Sequence, residues 1–240
     1  MAYTLQKDGD WIEQELYHRF VQPGFPSYEL FWQKFVVPLT NRPVNIHFCD
    51  DAELAERGFG HKHICIAQLH YTVLAQLRRC LELLKLNPFN VDHLVFGMSC
   101  LVGAQDVAFE LLERFSESKS SKYDPWLDKR PKGAASHVNG GKEAQKAWKK
   151  KEKHPLQDIR DYRNNLIHGR SLPGIVIGDT ILIPKLGKER QYFDSRLVTA
   201  PVAALPVADF DKPANLFAAF FGTTVSYFES SWQKHLLPHL

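Results

Sequence analysis

Two long helical repeats, separated by a short stop, constrain this chain more than anything else in it. From about His61 to Leu86, the residues Ala67, Tyr71, Leu74, Leu77, Leu81 and Leu84 recur every three or four positions, with no Pro or Gly between them. A helix over 61–86 spans roughly 39 Å. Asn87-Pro88 ends it, and Asn90 supplies a cap for the next. That second repeat carries Val91, Leu94, Val95, Met98, Leu101, Val102, Phe109 and Leu112 on one stripe. Gly97, Gly103, Ala104 and Ala108 add small residues that let another helix come close. Two antiparallel helices of this length begin a bundle and need further helices to cover them.

The rest of the chain supplies those helices. Asn215 to Trp232 returns to helical spacing, with Leu216, Phe220, Tyr227 and Phe228 closing the bundle. Between Pro155 and Gly169 lies a shorter helix, with Pro155 in its first turn and Gly169 at its C′ position. The period then changes. Residues 174–184 (GIVIGDTILIP) form two β-branched runs around Gly178-Asp179, a β-hairpin. Residues 1–58 are aromatic-rich and broken by Pro23, Pro26, Pro38 and Pro43. They predict a wrap on the main body with one short helix after Ser27, an N-cap candidate, carrying Tyr28, Phe31, Phe35 and Leu39. The expected architecture is mainly α, an up-and-down bundle over 59–240 with a small hairpin inserted before the last helix. At 240 residues, 44% hydrophobic and 24% charged, one core or a core with an appendage is expected.

Charge is unevenly placed. The total is +3, but Lys119 to Lys153 holds 11 basic residues against 4 acidic, a local +7 that leaves the remainder at −4. The polar stretch 116–153 reads as a loop, with 142–153 able to form a solvated basic helix. Lys149, Lys150 and Lys151 either guide a polyanion, with Trp126 and Trp148 as stacking surfaces, or simply face solvent.

Other chemistries find less support. Cys49, Cys65, Cys80 and Cys100 form no CxxC pair and read as free thiols of a reducing compartment. His61, His63 and His70, with His47 nearby, lack a carboxylate or Cys at ligand spacing, so helix-entry and interface histidines are expected and no metal. Gly133 and Gly140-Gly141 lack the setting of a phosphate loop, and there is no GxSxG elbow. Asp124 and Asp128 fit a loop turn. Gln105, beside Asp106, falls on an apolar stripe and reads as a structural hydrogen bond across the bundle, with support of a site as the lesser alternative. The N-terminus MAYTLQKDGDWIEQE is polar and acidic where a secretion signal is basic and then apolar, and no run of 18 apolar residues occurs. A cytoplasmic chain with no membrane segment is the expectation.

The short helix carries the chemistry. Leu156, Ile159, Leu166 and Ile167 mark its buried face, and Arg163 falls in the same stripe. A guanidinium aimed inward is costly unless it is paired or presented to an anion. Asp161, Asn164 and His168 line the neighbouring ridge, with His168 in the last turn beside Gly169. One helix end therefore offers a fixed cation, an amide and an imidazole. An Arg and a His at this place also suit the final carbonyls and the helix dipole, which is the structural alternative.

Arg163-Asn164-Asn165-Leu166-Ile167-His168 resembles the RNxxxH form of the Arg-x4–6-His motif of HEPN domains, and Gly169 is similar to a common extension of it. The resemblance covers the motif closely and the order of long helices over 61–171 and 215–235 loosely; residues 1–58 and the hairpin lie outside it. It implies a helical bundle, a homodimer, and metal-independent ribonuclease activity of the kind found in toxin–antitoxin, defence and RNA-processing systems. His168 is then the general acid or base, Arg163 the phosphate ligand, and Asn164 an orienting residue. Asp161 pairs with a neighbouring base or imidazole, and Lys149, Lys150, Lys151 and Arg170 contact RNA. No cofactor is called for. Some toxin members have Tyr two residues after the His, where this chain has Arg170. Any antitoxin or regulator is a separate chain, since no nucleotidyltransferase domain is present. Other members of the family are non-catalytic nucleotide-binding, RNA-binding or dimerisation modules, which is the alternative function.

Overall fold

The computed structural model describes residues 25–42, 47–118, 154–167, 174–186, 188 and 206–240. The short elements at the start are α1 (Pro26–Phe31), β1 (Thr40–Arg42), β2 (His47–Phe48) and α2 (Asp51–Glu56). The main helices are α3 (His61–Leu84), α4 (Val91–Ser118), α5 (Gln157–Ile167) and α6 (Pro213–His235). Strands β3 (Ile175–Ile177), β4 (Thr180–Pro184) and β5 (Phe210–Asp211) lie between α5 and α6 in sequence. The protein is mainly α with a small antiparallel sheet, as the periodicities predict.

The two long repeats form the expected helical hairpin. Asn90 caps α4: its Oδ1 accepts from the His93 N–H at 2.9 Å, and its own N–H donates to His93 Nδ1 at 3.2 Å. Two otherwise unpaired backbone donors are satisfied reciprocally. On α3 the buried face holds Ile66, Ala67, Val73, Leu74, Leu77 and Cys80, while Tyr71, Leu81 and Leu84 are half-buried. Helix α4 contacts α3, α5 and α6, so its apolar residues are distributed around most of its circumference. Its stretch Val91–Phe115 is long and apolar enough for a membrane span by composition. Packing on three neighbours accounts for that composition.

Gly97 shows why the small residues matter. A Cβ built there would lie 2.5 Å from Cζ of Phe217, a fully buried ring on α6. Phe217 is also stacked on Phe89, so it has nowhere to retreat. Gly97→Ala should therefore destabilise the fold by about 1–3 kcal/mol despite the better helix propensity of Ala. Urea titration checks this, and Phe217→Leu in the same chain should restore much of the loss; a Gly97→Ala variant as stable as the parent would contradict the contact.

The N-terminal segment corrects one expectation. Ser27 does not cap α1; Phe25 occupies that position, and Pro26 fills the first turn. Ser27 is buried instead and reaches the last helix: its N–H donates to Glu229 Oε2 at 2.9 Å and its hydroxyl to Glu229 Oε1 at 2.7 Å. The chain then continues through a wide helical turn (Trp32–Val36) and a 3-10 turn (Val37–Leu39). Tyr28, Phe31, Phe35 and Leu39 are all buried, as their spacing predicts, and they share one core with α3, α4 and α6. Helix α2, which sequence reading did not place, is held by a capping box between Asp50 and Glu53.

The hairpin pairs Ile175 with Leu182, Val176 with Ile181 and Ile177 with Thr180. Gly178 takes φ +59 in its turn, a conformation suited to glycine. A third strand was not expected: β5 adds to β4 through Pro184↔Phe210 and Ile183↔Asp211. Two residues are too few to show an alternating pattern. Ile183 joins the main core, whereas Ile175, Leu182 and Phe210 form a separate small cluster.

Candidate functional site

Helix α5 is fastened from three sides. At its entry, His154 Nδ1 accepts from the Leu156 N–H at 3.1 Å, so the ring hydrogen sits on Nε2 and is directed at the Tyr227 hydroxyl, 3.0 Å away on α6. The Phe109 ring of α4 meets the same imidazole edge-on at 5.6 Å. Burial pushes the Tyr227 phenol up to about 12, partly offset by a hydrogen bond with Ser231, so it stays neutral across the physiological range. In mid-helix, Tyr162 packs on Phe220 and donates to the Pro184 carbonyl at 2.9 Å, tying α5 to both α6 and β4.

The third tie is ionic. Arg160 on α5 meets Asp106 on α4 at 2.9 Å, with 6% of the arginine side chain exposed and 38% of the aspartate. The contact is a charge pair without the alignment of a hydrogen bond. One partner is enclosed and the other faces water, so the pair carries a charge through the wall of the bundle. Next to Asp106, the fully buried Gln105 donates to Thr224 Oγ1 on α6 at 3.1 Å, the cross-bundle hydrogen bond expected of it.

These ties set the placement of the motif residues. Arg163 is half-buried, and its Nε is shielded from water with no hydrogen-bond partner. Its Nη1 donates to the Oδ1 of exposed Asn164 at 3.1 Å. Asp161 accepts from Gln157 at 2.7 Å, one turn back along the same helix. The structure thus brings Arg163 and Asn164 together and gives Asp161 a partner within α5. His168, Arg170, Lys149, Lys150 and Lys151 lie outside the described residues.

The inward charge is not quite where the spacing put it. The enclosed guanidinium belongs to Arg160, and Ile167, expected in the core, is 38% exposed. Tyr162, on the Ile159 and Leu166 side of α5, is fully buried as well. Arg160 and Asp106 were missed as a pair. A signal existed: Arg160 stands one turn from Leu156 and adjoins Ile159, both buried, and Asp106 is an acid among the apolar residues of α4.

The histidines considered as ligands are dispersed. His63 Nδ1 accepts from the Gly60 N–H at 3.0 Å, a helix-entry role, while His61 is exposed and His70 is fully buried. Among the described residues no three His, Cys, Asp or Glu side chains gather as a metal-binding group.

Comparison with family models, with curated proteins and with solved structures returned no match.

Proposed function

We propose that this protein is a metal-independent endoribonuclease of HEPN type, acting as a homodimer whose two RNxxxH motifs face a common cleft. The observation that carries the reading is Arg163: a half-buried guanidinium with a shielded, unpartnered Nε, steered by Asn164 on a helix fixed from three sides. A donor left in that condition suits an anion, and a planar fork suits a phosphate.

RNA brings its own nucleophile. The 2′-oxygen attacks the adjacent phosphorus, the P–O5′ bond breaks, and a 2′,3′-cyclic phosphate and a 5′-hydroxyl result. His168 of one copy takes the 2′-OH proton, and its counterpart delivers a proton to the leaving 5′-oxygen. Arg163 binds the charge that builds on the phosphate oxygens. Asn164 orients the guanidinium, and Asp161 supports the helix through Gln157. Lys149, Lys150, Lys151 and Arg170 supply the electrostatic approach for RNA. No step requires a cofactor, and a toxin or defence role with a separate regulator chain suits such chemistry.

Purified protein incubated with RNA in EDTA should generate cyclic-phosphate ends, and His168→Ala or Arg163→Ala should lower the rate by about a hundredfold or more. Undiminished cleavage by both variants would remove the assignment. Salt-dependent RNA binding without cleavage, unaffected by His168→Ala, would instead identify a non-catalytic binding module.

A further inference from the structure

His70 sits at the meeting point of three parts of the fold. It lies in the middle of α3 and is fully buried. The Tyr28 ring of α1 stacks on it with centroids 3.7 Å apart and planes 14° from parallel. Phe31 lies 4.6 Å away, Trp32 6.3 Å, and Trp232 of α6 6.2 Å. Neither ring nitrogen has a hydrogen-bond partner, and the Trp232 indole N–H is also unpaired. A residue that titrates near neutrality has therefore been placed under the aromatic side chains with which residues 25–39 hold to the bundle.

We infer that His70 makes the docking of residues 25–39 acid-sensitive: the segment is latched over the neutral imidazole and lifts when the ring takes a proton. An imidazolium needs water or an acceptor, and the closed arrangement supplies neither. The surrounding rings attract a cation face-on, but that attraction is weaker than the cost of taking a full charge out of water. Among the titratable groups on the elements packed around the ring are Tyr28 and Glu29 on α1, Lys34 in the following turn, and His63 and Tyr71 on α3 itself. Glu113 stands on α4, and Glu229, Lys234 and His235 on α6. None of them contributes charge at the ring; burial alone acts, and it holds His70 well below its ordinary value of 6.5.

The sign follows from linkage. The opened segment leaves His70 in water with an ordinary affinity for protons, while the closed one excludes them. Closure is fully favoured above about pH 6.5 and is lost progressively as the pH falls below it, the opening constant rising up to tenfold per pH unit. Lifting α1 also breaks the two Ser27 hydrogen bonds to Glu229 and the Tyr28 hydroxyl bond to the His70 carbonyl at 3.2 Å.

Hydrogen exchange of the full chain between pH 7.5 and 5.5, corrected for the intrinsic amide rate, tests the latch. Amides of residues 27–37 and 39 should lose about tenfold in protection per pH unit below 6.5, with those of 94–115 unchanged. His70→Leu should make the segment insensitive to pH, and Glu229→Gln should leave the sensitivity in place. Equal pH dependence in His70→Leu and the parent overturns the inference, as does a parallel loss in 94–115. Should His70→Leu fail to fold, the ring titration of His70 by NMR decides: a midpoint above 6.5 overturns it and one well below supports it.

Discussion

Trp232→Ala should cost about 3–5 kcal/mol in denaturant unfolding, since it removes the largest fully buried side chain among the described residues. Trp232 is fully buried, meets Phe25 edge-on at 5.3 Å and Phe228 at 5.5 Å, and neighbours His70. Removing it opens a cavity where α1, α3 and α6 join, and the rings around it cannot collapse without giving up one another. Trp232→Phe should behave differently. It keeps most of the apolar contact and deletes an indole N–H that has no partner, so the expected loss is only about 1–2 kcal/mol. Equal losses for the two variants would show that the indole N–H is satisfied in solution.

The second large effect belongs to the ion pair. Asp106→Ala should destabilise by about 2–3 kcal/mol, because Arg160 remains charged and enclosed with nothing opposite it. The exposure of Asp106 to water keeps this below the loss expected of a fully buried pair. Replacing both partners, with Arg160→Met and Asp106→Leu, should return most of that stability, since the enclosed charge is then gone. If ribonuclease activity is present, the double variant should also show whether α5 needs the ionic tie or only the packing. Melting curves with RNA-cleavage rates on the same samples separate the two. A double variant as unstable as Asp106→Ala would contradict the account.

Much of this architecture was legible because its determinants are local and repeated. Helices α3, α4 and α6 declare themselves through periodicity, Asn90 through its place before α4, and the hairpin through β-branched runs around Gly178-Asp179. The elements that escaped are held by tertiary contacts or are too short for a period. Strand β5 is two residues defined only by its neighbour β4, and α2 is a six-residue helix carried by one capping box. Ser27 has the chemistry of a cap, but a half-buried carboxylate on a distant helix competes for it and prevails. The site was partly legible for the same reason. Arg163 and Asn164 are neighbours in sequence and remain neighbours in space. Which arginine of α5 is enclosed depended on Asp106, more than fifty residues earlier, a partner that spacing within α5 alone does not reveal.

The bond between Ser27 and Glu229 joins residues 202 positions apart. On a ribosome adding roughly 5–20 residues per second, the partner of Ser27 is made on the order of ten to forty seconds after it. During that interval the aromatic side chains of 25–39 have no α6 to meet. A nascent chain of this kind has to keep this apolar early segment from sticking elsewhere until synthesis is nearly over.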